Sequence, residues 1–111
     1  MGEILRGDIV WADLDPVVGH EQSGRRPALI LSDSYFNKKS KTVIAVALTT
    51  QSQKIGFPFS LKLKQEIGKK TVWVKISHIR TLSTLRLGKK IDHLSEREMA
   101  RVIEGLNEII G

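Results

Sequence analysis

The sequence predicts a β-rich α+β fold: a small, curved, mostly antiparallel barrel with one helix packed on it. Three observations carry that prediction. Short apolar segments follow one another through the first two thirds of the chain, divided by turn-forming residues. No long helical segment of the kind that joins parallel strands lies between them. The chain then changes to a helical period and keeps it to the end.

The elements follow in order. Gly7-Asp8 precedes a strand over residues 9–14, in which Ile9, Trp11 and Leu14 are large and apolar and Trp11 reads as a core residue. Asp15-Pro16 ends it as a turn. A second strand over 27–31 is nearly unbroken aliphatic, the pattern of burial on both faces. Ser32-Asp33-Ser34 caps a short turn of helix through Phe36, and residues 37–41, with three lysines, read as a turn. The run Val43-Ile44-Ala45-Val46-Ala47-Leu48 makes 42–50 the expected centre of the sheet.

Residues 51–56 form a polar loop. Over 57–63, Phe57, Phe59, Leu61 and Leu63 alternate with polar residues and Pro58, which predicts a strand with one wet face. Residues 65–70 turn the chain. Over 71–76, Val72, Val74 and Ile76 take one face and Trp73 and Lys75 the other. Residues 80–85 continue as strand or irregular structure, and Gly88-Lys89-Lys90 reads as a turn. Ser95-Glu96-Arg97-Glu98 is a capping box, with Ser95 as N-cap and Glu98 reaching back. Met99, Val102, Ile103, Leu106, Ile109 and Ile110 then share one helical face.

With 111 residues, 41% of them hydrophobic, one domain over 1–111 with one modest core is expected. No apolar run has the length of a membrane span, and Glu3 and Arg6 break any signal-peptide pattern at the start. The absence of cysteine excludes disulfides and thiolate metal sites and fits a reducing cytoplasm. Three histidines, none at ligand spacing, speak against a structural metal. The net charge of +6 is segregated. Residues 38–90 hold thirteen Lys and Arg against a single acid, Glu66, whereas the flanking segments are net acidic. This distribution suggests a basic face for a polyanion, with a solvated lysine-rich surface as the alternative.

The densest chemistry lies in Gly19-His20-Glu21-Gln22-Ser23-Gly24-Arg25-Arg26-Pro27. A polar loop bounded by glycines runs directly into a buried strand, and Pro27 restricts Arg26 to an extended backbone. A water-facing hairpin loop would have the same residue types. Asp13-Leu14-Asp15-Pro16, Gly19-His20-Glu21-Gln22 and Arg26-Pro27, continued by Leu48-Thr49-Thr50-Gln51 and Ile79-Arg80-Thr81, resemble the MazF/PemK family, the toxins of type II toxin–antitoxin pairs. The resemblance spans essentially the whole chain and ends in a similar helix. It implies an SH3-like barrel with a C-terminal helix, and an endoribonuclease that cuts single-stranded RNA at short sequences, arresting translation and growth. It further implies cleavage without metal or other cofactor, through attack by the 2′-hydroxyl, leaving a 2′,3′-cyclic phosphate and a 5′-hydroxyl. A homodimer restrained by an acidic, MazE-like antitoxin peptide is implied as well. The competing classes are a non-catalytic toxin of the same architecture, such as the gyrase binder CcdB, and a plain basic RNA-binding barrel.

Site residues follow from the matched positions. Arg26 stands at the arginine of the family's Arg-Pro motif. Permanently charged and planar, it suits a transition state at phosphorus, the alternative being an ion pair with Glu21. Thr49 corresponds to the family's site threonine and can donate its hydroxyl to phosphate, or merely close a strand edge. His20 and Glu21 are the acid–base candidates, Glu21 having the alternative task of holding the loop or Arg26. PemK-like members carry an arginine and an aspartate where this chain has Lys75 and Ser77, and Ser77 cannot act as a carboxylate base. Arg25, Gln22, Lys54, Lys75, Ser77, His78 and Arg80 are the expected RNA-binding residues, with His78 facing away from Ser77 if both lie in a strand. Trp73 can stack a base, whereas Phe57 reads as core.

Overall fold

The computed structural model describes residues 2–15 and 24–111. Every strand pairing in it is antiparallel. The strands are β1 (Asp8–Asp13), β2 (Arg25–Ile30), β3 (Thr42–Thr49), β4 (Leu61–Lys62), β5 (Trp73–Val74), β6 (Arg80–Ser83) and β7 (Leu87–His93), and the helices are α1 (Ser34–Ser40) and α2 (Glu96–Ile110). They form one sheet in the order β4-β5-β3-β2-β1-β7, with β6 also paired to β3. The β-rich α+β class and the C-terminal helix are as expected.

β3 is the centre, and it divides one of its edges between two partners. Residues 42–45 pair with β6, residues 48 and 49 pair with β5, and β2 pairs with residues 45–47 along the other edge. A one-turn 3-10 helix, Ile76–His78, carries the chain from β5 to β6. Because successive side chains leave opposite faces of a strand, β2 and β3 feed two separate apolar clusters. Leu29, Val46 and Leu48 join Ile9, Val74 and Ile76 under Met99 and Val102 of α2. Ala28, Ile30, Val43, Ala45 and Ala47 join Val10, Ala12, Leu14 and Leu82 on the opposite side. The double-sided burial expected of the second strand is present, with Ala28, Leu29 and Ile30 fully buried.

Several local expectations give way to tertiary contacts. Residues 37–40, expected as a turn, complete α1. The Asn37 side chain is buried and donates to the carbonyls of Ile4 and Ser32, which holds the segment helical until Lys41 ends it in a left-handed conformation. The strand expected over 57–63 shortens to Leu61–Lys62. Pro58 has no N–H to give a ladder, and Phe57, expected in the core, is 46% exposed. Gly88-Lys89-Lys90 is not a turn but the middle of β7. Over 71–76 the faces are as expected, with Val72, Val74 and Ile76 buried, although only Trp73–Val74 is ladder-paired. Trp11 is half-buried rather than in the core. On α2, Met99 and Val102 are buried while Ile109 and Ile110 at its end stay exposed.

Two buried carboxylates tie the periphery to the sheet. Asp8 accepts from the N–H of Leu5 at 2.9 Å and pairs with Lys90 at 2.9 Å and the His93 ring at 2.8 Å. Glu98 accepts from the N–H groups of Lys64 and Gln65 and from Arg101 at 2.7 Å. The capping box is therefore only half made. Ser95 does cap α2, taking the Glu98 N–H at 3.2 Å, but the Ser95 N–H donates to the side chain of Gln65. Glu98 is turned to the 64–65 backbone instead.

Burial by itself would raise the pKa of both carboxyls, but these donors outweigh it and hold both below their ordinary values. The unfolded chain, whose carboxyls titrate near pH 4, then binds more protons than the folded one across the interval below that value. Their stabilisation is complete above about pH 5 and is lost as pH falls through the lowered folded values. Urea midpoints measured from pH 7 down to pH 3 should fall steadily, and the fall should be shallower in Asp8→Asn. An identical acid-side slope in that variant would show that Asp8 is not a source of it.

Candidate RNA-cleavage site

The strand register brings the first two candidate residues together. β2 and β3 pair as Ala28↔Ala47, Leu29↔Val46 and Ile30↔Ala45, and counting two residues further sets Arg26 across from Thr49. Arg26 also pairs with Ala12 of β1. By alternation Arg26 follows Ala28 and Thr49 follows Ala47, so both leave the sheet on the same side. A cleft of about 380 Å³ at this end of the strands takes residues from both faces: Arg26 and Thr49 line it, and so do Arg25, Thr50 and Lys70, beside Leu48, Ile67 and Val72 of the cluster beneath α2. Thr49 is only 6% exposed, and its Oγ1 accepts the Gln51 N–H at 3.1 Å. That bond orients the hydroxyl and leaves its proton available to an incoming oxygen.

Both arginines lie within β2 and not in the loop before it, because the strand begins two residues earlier than expected. Arg25 takes the face opposite Arg26. Its guanidinium lies over the Trp11 ring, 5.7 Å from the centroid, and against Gly88, where an added Cβ would stand 2.9 Å from Nη2. Trp11 thus serves as a platform for a cation, a role its position in an alternating strand did not reveal. Gly88 is a strand glycine marking a close approach, and that was the available signal. Lys70 was likewise missed, since it reads as one more lysine in a turn.

A second cleft, of about 480 Å³, opens on the other edge of β3. Lys54, Lys75, Ser77 and His78 line it with Phe59. The Lys75 N–H donates to the Ala47 carbonyl, so this cleft begins two residues from Thr49. Ser77 and His78 share it, contrary to the strand-based expectation, because Ile76–His78 is a 3-10 turn. No carboxylate stands among the described residues lining either cleft. Trp73 is half-buried and lies under the Lys62 ammonium at 5.7 Å. Arg80 lines neither cleft. Its guanidinium donates to the Leu14 carbonyl at 3.3 Å.

His20, Glu21 and Gln22 lie outside the described residues, but the two ends of their segment are well held. Leu14 N–H donates to the Gly24 carbonyl at 3.0 Å, and Gly24 N–H to Asp15 Oδ1 at 2.9 Å. Arg86 donates to the carbonyls of Asp13 and Asp15 on either side of the one Arg80 holds. The acids at this point, Asp13 and Asp15, accept backbone N–H groups through their side chains.

A cleft lined by two arginines and a lysine, with one oriented hydroxyl, thus lies at the end of the central strand of a small antiparallel sheet. The model of the PemK-like, MazF-like toxins of type II toxin–antitoxin systems matches residues 5–110, and the chain belongs to that family. It is 38% identical over 105 residues to an endoribonuclease EndoA of Bacillus subtilis, covering 93% of this chain and 90% of the relative. Among solved structures, MazF of Deinococcus radiodurans superposes with a TM-score of 0.87 at 30% identity, over 100% of this chain and 99% of that one. An endoribonuclease from a mycobacterial species, solved in complex with its cognate antitoxin, superposes with a TM-score of 0.79 at 26% identity over 97% and 95%.

Gly88→Ala should test how Arg25 is seated. The new methyl meets only the mobile end of that side chain and the Trp11 Cβ at 3.5 Å, so stability should change by less than about 1 kcal/mol. Affinity for a single-stranded oligoribonucleotide should nevertheless fall to that of Arg25→Ala. Wild-type affinity would mean that Arg25 works equally well away from Trp11.

Proposed function

We propose that this chain is a toxin endoribonuclease that cleaves single-stranded RNA by attack of the 2′-hydroxyl on the adjacent phosphate. The observation that carries the reading is the convergence of Arg26 and Thr49 in one cleft, on adjacent strands of a chain related to endoribonucleases. As O2′ bonds to phosphorus and the bond to O5′ breaks, negative charge builds on the non-bridging oxygens. Arg26 meets that charge with a permanent cation, and Thr49 donates its O–H from a fixed position. The products are a 2′,3′-cyclic phosphate and a 5′-hydroxyl. A base must take the 2′ proton and an acid must supply one to O5′. His20 and Glu21 are the groups for these tasks by resemblance, while Ser77 leaves the second cleft without the aspartate of PemK-like members.

Lys54, Lys75, Ser77 and His78 extend the binding track beyond the scissile phosphate, and Arg25 and Gln22 belong to the first cleft and its loop. The relatedness to ribonucleases supports catalysis over a CcdB-like gyrase binder or a plain RNA-binding barrel. An acidic antitoxin peptide suits the same basic surface, where its carboxylates compete with phosphate. A homodimer acting on cytoplasmic mRNA completes the reading. No helix among the described residues is long and apolar enough to cross a membrane.

Arg26→Ala should lose about 10²–10³ in cleavage rate, the scale of removing an oxyanion donor, with folding retained because the side chain is exposed. Cleavage at the wild-type rate would place the site elsewhere.

Metal removal should have no effect. Among the described residues no three His, Asp or Glu gather as a metal set, and the chemistry above uses only protein groups. EDTA should therefore leave cleavage intact, and a 2′-O-methyl group at the cut position should block it without blocking binding. Strict dependence on magnesium would overturn the assignment of charge stabilisation to Arg26.

A further inference from the structure

Lys70 and Glu98 stand far apart in sequence, and the turn over residues 64–70 connects them. Lys70 lines the Arg26–Thr49 cleft and has no ion-pair partner among the described residues. Its backbone is closed against Ile67 by two hydrogen bonds, of 2.9 and 3.1 Å. Between them Gly68 and Lys69 both have positive φ, 59° and 64°, the geometry of a tight hairpin turn whose twist matches its strands. Ile67 and Gly68 line the same cleft, so the turn is one of its walls.

The other end of this wall is anchored more strongly than a surface lysine turn requires. Glu98, 3% exposed, gives one carboxylate oxygen to the N–H groups of both Lys64 and Gln65 and the other to Arg101. The Gln65 side chain then donates to the His93 carbonyl at 3.0 Å and accepts the Ser95 N–H at 2.9 Å. Desolvating a buried carboxylate is costly unless charge and hydrogen bonds compensate it, as the donors around Glu98 do. A turn that must hold a cation at a set place in a cleft gains from such an anchor.

We infer that Lys70 contacts an RNA phosphate beside the scissile one, and that Glu98 is the positioning residue that holds Lys70 there through the 64–70 turn. The inference rests on the ribonuclease reading for its substrate. Its test does not depend on cleavage, because the probe is a single-stranded 2′-O-methyl oligoribonucleotide whose binding is followed against salt. Neutralising one phosphate of a single strand contributes about 0.7 to the slope of log affinity on log salt.

Lys70→Ala should lower that slope by about 0.7 and weaken binding several-fold, with Lys70→Arg restoring both. Glu98→Gln keeps the size but removes the charge. It should reproduce the slope change of Lys70→Ala, and the double variant should be no worse than either single one. Gln65→Ala removes two anchors without touching a buried charge and should act in the same direction, which keeps the test available if Glu98→Gln unfolds. An unchanged slope in Lys70→Ala would remove Lys70 from the track. A lowered melting temperature in Glu98→Gln or Gln65→Ala with a wild-type slope, or additive losses in the double variant, would reduce the anchor to a purely structural one. Failure of the wild-type protein to cut unmodified RNA would instead count against the ribonuclease reading, and is scored separately.

Discussion

The cleft depends on one constraint, the register in which β2 meets β3. A slip of a single residue would turn every side chain of β2 to the opposite face of the sheet, and Arg26 would leave the side that Thr49 occupies. The register is held because both faces are buried and filled differently. Leu29 and Val46 point into the cluster beneath α2, while the small residues Ala28, Ala45 and Ala47 point into the other. A shifted pairing would put leucine where alanine fits, and close-packed interiors do not absorb that change. The ladder between the two strands ends at Ala28↔Ala47, next to Pro27, which has no N–H to continue it. Beyond that point Arg26 and Thr49 are among the residues that line a cleft.

How far this could be read from the sequence depended on whether the signal was local. Alternation over residues 72–76 and the helical stripe after Ser95 are properties of short windows, and both appear in the structure, the stripe packing as far as Leu106 while Ile109 and Ile110 stay exposed. Residues 37–40 were misread because the deciding interaction, Asn37 with the Ile4 carbonyl, joins positions far apart in the chain. Pro58 did announce that the alternation over 57–63 would not make a ladder, and the periodic phenylalanines masked it. At the site, residue types and motif positions were legible, but grouping was not. Ser77 and His78 enter one cleft because of a 3-10 turn, and Trp11 and Gly88 acquire their meaning only from the guanidinium of Arg25 between them.

The distribution of acids is as informative as that of the cations. Asp8 and Glu98 are spent on backbone N–H groups and basic side chains away from the clefts. Asp13 and Asp15 turn to local backbone donors. Among the described residues, basic side chains and no carboxylates line the two clefts, and a basic lining of that kind draws in polyanions.

The gate formed by Leu14, Asp15 and Gly24, with Arg80 and Arg86 on its carbonyls, has an evolutionary consequence. The Leu14–Gly24 hydrogen bond and the two arginines fix the chain on either side of residues 16–23. Lengthening a loop with fixed ends costs only a term that grows with the logarithm of its length. A lineage can therefore lengthen that interval at little cost to the sheet, provided its two ends stay tied and the residues its chemistry uses are kept.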